Sequence, residues 1–127
     1  MNQEVKANKI KEFTDLFVWQ FGHSLVIEIY KITKNLPESE KYGLISQIQR
    51  ASVSVTSNIA EGFGRRSKKE KIQFYFISHG SLTEVKNLVI ILKDVGFIHV
   101  DSYKKLLEII LNTERLLIGL IKKTKET

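Results

Sequence analysis

The sequence has no cysteine, and among its 127 residues it has only one proline, one methionine, one tryptophan and seven glycines. The absence of cysteine excludes disulfide bonds, thiol catalysis and metal sites built on thiolates. So few prolines and glycines are unusual for an all-β protein, which needs many turns. Because the N-terminal residues are polar and no disulfide can form, we expect a cytoplasmic protein.

Long hydrophobic runs are also lacking, and no stretch of about 18 uncharged apolar residues would span a membrane. Lysine and arginine number 20 against 14 acidic residues, which gives a formal net charge of +6 and a pI near 9.5. This balance favours polyanions as partners, although many proteins carry a similar charge simply as a solvated surface.

Hydrophobic periodicity predicts an all-α protein, an antiparallel up-and-down four-helix bundle in a single domain. The bundle is expected to occupy residues 13–124, after a flexible polar N-terminus at residues 1–12. The predicted helices cover about residues 14–34, 37–63, 67–95 and 101–123. Their short connections indicate that successive helices are antiparallel neighbours.

Capping and helix-breaking residues set these boundaries. Thr14 or Asp15 is expected to cap the first helix, and Pro37 suits the first turn of the second. Ser67, with Glu70 three residues later, predicts a capping box at the start of the third helix. Gly96 is expected to end that helix.

Apolar residues of the first and fourth helices cover more surface than the core of one bundle needs. Helix 1 has a second apolar stripe beside its first, which includes His23, and helix 4 is apolar on more than one face. Excess apolar helix surface usually contacts another subunit, so we expect a homo-oligomer.

A polar stripe follows one face of the second helix at alternating spacings of three and four residues: Gln47, Arg50, Ser54, Ser57 and Glu61, with Asn58 at its edge. On the third helix, Ser81 and Glu84 interrupt an apolar series that runs from Ile77 to Val95. An antiparallel hairpin of the two helices brings Arg50 close to Glu84, and we predict a partly buried ion pair between them. Its role is expected to be structural, because arginine stays protonated and holds a neighbouring carboxylate ionised.

A second candidate site is a cationic turn between the second and third helices, made of Arg65, Arg66, Lys68, Lys69 and Lys71. The free N–H groups at the start of the third helix add anion affinity there. The turn is either a phosphate-binding site or a solvated surface. The glycines before it do not form a nucleotide-binding loop, since no strand precedes them and no Gly-Lys-Ser/Thr follows.

No constellation in the sequence predicts catalysis, a metal or a cofactor. None of the histidines, His23, His79 and His99, has a second metal ligand three or four residues away. No serine lies in a nucleophile elbow. We therefore expect a protein that is not an enzyme, in which His23 is an interior residue.

Several short motifs carry a resemblance to a known family. They are Phe13-Thr-Asp-Leu16, Trp19-Gln20, Tyr30, Leu36-Pro37, Glu40, Tyr42-Gly-Leu44, Gln47-Ile-Gln-Arg-Ala-Ser52, Asn58-Ile-Ala-Glu-Gly62, Gly80-Ser-Leu82 and Glu84. In these the chain resembles the four-helix-bundle proteins encoded by intervening sequences in bacterial 23S ribosomal RNA genes.

The resemblance implies an antiparallel bundle, a ring-like homopentamer and no catalytic activity. It also implies a relation to the accessory variability proteins of diversity-generating retroelements, which bind nucleic acid and a reverse transcriptase. The matched polar residues are then candidates for a polar network or oligomer interface: Gln47, Arg50, Asn58, Glu61, Ser81 and Glu84. We expect a basic module that binds RNA or DNA without sequence preference, or alternatively a protein–protein adaptor, for example one accessory to a reverse transcriptase or a ribosomal RNA-associated enzyme.

Overall fold

A computed structural model describes residues 9–127, which form four α-helices and no strand within that range. The helices are α1 (Phe17–Thr33), α2 (Ser46–Phe63), α3 (Lys68–Asp94) and α4 (Val100–Glu126). Residues 1–8 of the predicted flexible N-terminus lie outside the described residues. Among the helices of residues 9–127, none is long and apolar enough to cross a membrane.

Each helix packs against its neighbours in the chain, and α4 closes the bundle against α1. Between α2 and α3, the Ser78 hydroxyl donates to the carbonyl oxygen of Val55 at 2.7 Å. Between α1 and α4, Lys105 Nζ lies 3.4 Å from a carboxylate oxygen of Glu28. Ser78 and Val55 lie near the middle of their helices, whereas Glu28 is near the end of α1 and Lys105 near the start of α4. Neighbouring helices are therefore antiparallel, and the predicted up-and-down four-helix bundle is confirmed.

The core lies along the bundle axis and takes one face from each helix. On α1 and α2 this face is formed by apolar residues at helical spacing. On α3 it is not the series from Ile77 to Val95, because Ile77, Glu84 and Val95 are exposed. The buried face of α3 lies about 100° around the helix from this series, since apolar residues occur on both sides of this helix. Its buried residues are Tyr75, Ser78, Leu82, Val85, Leu88, Val89 and Leu92.

The second helix begins later than predicted. Pro37 precedes a 3-10 turn at Glu38–Glu40, then a π-helical turn at Lys41–Ile45, and the regular helix begins only at Ser46. Gly43 departs from helical geometry, with φ −109° and ψ −108°. Glycine has a low helix propensity and tolerates such a break. The spacing of the neighbouring apolar residues gave no indication of it.

The first helix also starts differently. Residues Phe13–Asp15 form a separate 3-10 turn, and α1 begins at Phe17 without a side-chain cap. The Asp15 carboxylate instead accepts hydrogen bonds from the backbone N–H groups of Lys11 and Glu12, at 3.0 and 3.1 Å. These two hydrogen bonds hold the pKa of Asp15 below its usual value.

Candidate polyanion-binding end and polar cleft

Two basic segments meet at one end of the bundle. The turn between α2 and α3 lies there, and so does the C-terminal end of α4, because the helices alternate in direction. Lys68 Nζ is 3.4 Å from the carbonyl oxygen of Lys125, which brings the two segments side by side. The sequence analysis did not include the lysines of α4 in this site. The predicted antiparallel pairing of α3 and α4 places them beside the turn and could have identified them.

The local structure of the turn follows from its sequence. The Oγ atom of Ser67 accepts from the backbone N–H of Glu70 at 3.1 Å and donates to the Glu70 carboxylate at 3.1 Å. This confirms the predicted cap and fixes the start of α3 directly after the turn. It also places one carboxylate among the cations and occupies one of the N–H groups expected to attract anions.

Two of the five predicted cations stabilise the turn itself. Arg65 pairs with Glu61 at 3.2 Å, and its guanidinium lies 4.6 Å from the ring centre of Phe74. Lys71 Nζ donates to the carbonyl oxygen of Phe63 at 2.7 Å, and to that of Gly62 at 3.5 Å. Lys71 therefore neutralises the C-terminal end of α2 and is half-buried.

The other three cations are exposed. Arg66 and Lys69 make no hydrogen bond or ion pair within residues 9–127, and Lys68 makes only the long contact to α4. Three lysines near the end of α4 are exposed beside them. We call this set the cationic end: Arg66, Lys68, Lys69, Lys122, Lys123 and Lys125.

The predicted polar stripe lines a shallow cleft between α2 and α3. Gln47 Nε2 donates to a carboxylate oxygen of Glu84 at 3.3 Å, while Arg50 Nη2 donates to Ser46 Oγ at 3.0 Å. The predicted Arg50–Glu84 ion pair is therefore wrong, although both residues line the cleft. Both are exposed, so the arginine can turn back along its own helix, and Gln47 reaches the carboxylate instead.

In the cleft, one pair of hydroxyl groups joins α2 to α3. The Oγ atoms of Ser54 and Ser81 are 2.7 Å apart. Asn58 Nδ2 donates to the carbonyl oxygen of Ser54 at 2.8 Å and to its Oγ at 3.1 Å. The serine pair links the two helices through a neutral hydrogen bond, and Asn58 contacts Ser54 from within α2. Glu61 does not belong to this network, because it contacts Arg65 at the turn.

Each of the three histidines has a different neighbour. His23 is exposed and stacks on Trp19, with ring centres 4.8 Å apart, so the expectation of an interior residue is wrong. His79 Nε2 lies 3.2 Å from a Glu114 carboxylate oxygen, and His99 Nδ1 accepts from the backbone N–H of Asp101. In the part of the chain that the structure describes, no three histidine or acidic side chains are grouped as metal ligands.

A second cleft, between α3 and α4, was not predicted. It has a volume of about 370 Å³ and adjoins the cationic end. Its lining is apolar except at the edges, and we call it the apolar cleft: Phe76, His79, Ile118, Ile121, Lys122 and Lys125. Phe76, on α3, is about half exposed.

Known proteins share this architecture. Residues 14–119 match the family model described as 23S rRNA-intervening sequence protein. The fold is similar to the crystal structure of a protein with unknown function from the S23 ribosomal protein family of Bacteroides thetaiotaomicron VPI-5482, with a TM-score of 0.77. That similarity covers 83% of this chain and 95% of the other at 23% sequence identity, so it shows the fold alone. No curated protein matches the chain. Because the family model covers most of the bundle, the chain belongs to the 23S rRNA-intervening sequence protein family.

Proposed function

We propose that this protein is a non-enzymatic, cytoplasmic module that binds nucleic acid at its cationic end. The observation that carries the proposal is the junction of Lys68 with the end of α4, which combines two basic segments into one surface. Six exposed cations lie on that surface, and several of them have no partner within residues 9–127. Such cations are available to phosphates, whereas Arg65 and Lys71 are already engaged.

The chemistry of this surface favours binding without sequence preference. Five of the six cations are lysines, which contact phosphates as mobile point charges on long side chains. Phosphate contacts position a protein on nucleic acid but carry no base information. Their contribution comes from counterion release, so affinity is expected to fall steeply with salt.

Two matched triple variants test where the nucleic acid binds. The first variant replaces Arg66, Lys68 and Lys69 by alanine. We expect it to bind labelled RNA and duplex DNA about tenfold more weakly, since three phosphate contacts are lost. The control replaces Lys34, Lys41 and Lys104, three exposed lysines at the opposite end, and is expected to change affinity little. Fluorescence anisotropy across a salt series would measure both effects.

The salt dependence separates a local site from a general charge effect. Each lost phosphate contact is expected to lower the magnitude of the slope of log K against log salt by about 0.9 for duplex DNA. Equal losses in the two variants would contradict binding at the cationic end. No binding by the unaltered protein near physiological salt would contradict the proposal and favour a protein–protein adaptor.

We also propose that the protein assembles with copies of itself, as a pentamer by resemblance to the family. Large apolar side chains exposed on α1 and α2 support this, because such surface is usually covered in an oligomer. They are Phe17, Phe21, Ile27, Tyr30 and Val53. Light scattering is expected to give five times the 14.7 kDa mass of one chain, and the mass of a single chain would contradict assembly.

A further inference from the structure

We propose that the apolar cleft between α3 and α4 binds an unpaired nucleobase of a strand whose phosphates lie on the cationic end. This inference rests on the proposed function and adds a preference for single-stranded over duplex nucleic acid. It follows from the position of an exposed aromatic ring directly beside the cations.

The floor of the cleft suits a flat apolar group. Phe76 on α3 is 51% exposed and Ile118 on α4 is 52% exposed, while Ile121 is buried beneath them. The cleft volume of about 370 Å³ lies at the small end of the range for ligand pockets. A planar base would cover the ring of Phe76 and remove this apolar surface from water.

The rim of the cleft suits the phosphates on either side of such a base. Lys125 Nζ lies over the ring of Phe76, 5.4 Å from its centre, and a base that stacks there would displace this flexible side chain towards a neighbouring phosphate. Lys122 also lines the cleft. Lys69 precedes Phe76 by seven residues, which places it on the same face of α3, roughly 10 Å along the axis. A nucleotide has the same arrangement, an apolar ring beside an anionic group.

The charges around the cleft also favour an anionic ligand. Lys122 and Lys125 line the cleft, and the carboxylate of Glu114 is paired with His79 at 3.2 Å. Stacking on an aromatic ring tolerates any base, so the site would add affinity without strong sequence preference. Bases of a duplex are paired and stacked inside it, and they reach the cleft only after unpairing.

The experiment uses the full chain and three labelled probes: a short oligothymidylate, an abasic strand with the same number of phosphates, and a duplex. We expect the oligothymidylate to bind about tenfold more tightly than the abasic strand, the usual size of one stacked base. Phe76→Ala is expected to remove that difference and to leave binding of the abasic strand unchanged. Phe76→Tyr is expected to retain it.

Ile77→Ala is the matched control. Ile77 is 53% exposed, almost the same as Phe76, but points about 100° around α3 and does not line the cleft. This variant is expected to keep the preference for bases. Circular dichroism would establish that each variant is folded, and Phe76→Tyr tests the site even if the alanine variant is not.

Four outcomes would overturn the inference. If the unaltered protein or Phe76→Tyr binds the abasic strand as tightly as oligothymidylate, the base site is wrong while the proposed function stands. If the duplex binds at least as tightly as oligothymidylate, the base site is wrong, and if none of the three probes binds, the proposed function is wrong as well. If Phe76→Ala keeps the preference for bases but lowers the oligomer mass in light scattering, the cleft is covered by a second copy of the chain.

Discussion

Gly62→Ala is expected to lower the free energy of unfolding by about 2 kcal/mol. A Cβ atom at this position would lie 2.7 and 2.9 Å from two ring carbons of Tyr75, and 3.0 Å from Cβ of Phe74. Tyr75 is only 2% exposed, so its ring cannot turn away without moving α2 from α3. The steric cost exceeds the gain in helix propensity of about 1 kcal/mol that alanine brings.

Two other glycines provide controls for this prediction. Gly80 and Gly119 lie within helices, and a Cβ atom at either would meet nothing within 4 Å. Their replacement by alanine is expected to raise stability by about 0.5–1 kcal/mol each. Urea denaturation at equal protein concentration would measure all three variants. A Gly62→Ala protein as stable as the unaltered chain would show that the α2–α3 contact adapts more easily than its geometry indicates.

The protein is expected to lose on the order of 2–3 kcal/mol of stability as pH rises from about 10 to about 12. Burial raises the pKa of Tyr75 from 10.0 to about 12, because a phenolate loses its hydration in the core. Below pH 10 the phenol is protonated in both the folded and the unfolded chain, so its contribution is constant. Above that pH the unfolded chain ionises first, and folding becomes less favourable.

Tyr75→Phe isolates this effect from other changes in the protein at high pH. The phenylalanine variant keeps the ring and is expected to lose less stability between pH 10 and pH 12 than the unaltered protein. Urea denaturation at each pH gives the free energy, and ultraviolet absorbance of tyrosinate follows ionisation directly. An equal loss in the two proteins would mean that Tyr75 ionises in the folded state at its ordinary pKa.

The sequence predicted the bundle because its signals are local. Ser67 caps α3 as expected, and Gly96, at the end of that helix, has a positive φ of 82°. The start of α2 could not be predicted in this way. Pro37 and the two glutamates after it are good first-turn residues, and only the backbone shows that Gly43 separates them from the helix.

The site was predicted less completely, because several polar side chains that are close in the folded chain compete for the same hydrogen-bond partners. Antiparallel register brought Arg50 and Glu84 to one cleft, but two polar neighbours, Ser46 and Gln47, took their hydrogen bonds. The cationic turn was found from its composition. Glu61 pairs with Arg65, and the carbonyl groups at the end of α2 bind Lys71. Sequence spacing does not show which cations make these contacts and which stay exposed.

The alternation of helix direction has a consequence for how this protein can vary. At the cationic end two helices begin and two end, so their backbone dipoles largely cancel. The positive potential there comes from side chains, most of them on solvent-exposed positions outside the core. Substitution or acetylation of Lys68, Lys69 or Lys123 would change that potential without altering core packing. Related chains can therefore diverge in their polyanion affinity while the bundle itself stays the same.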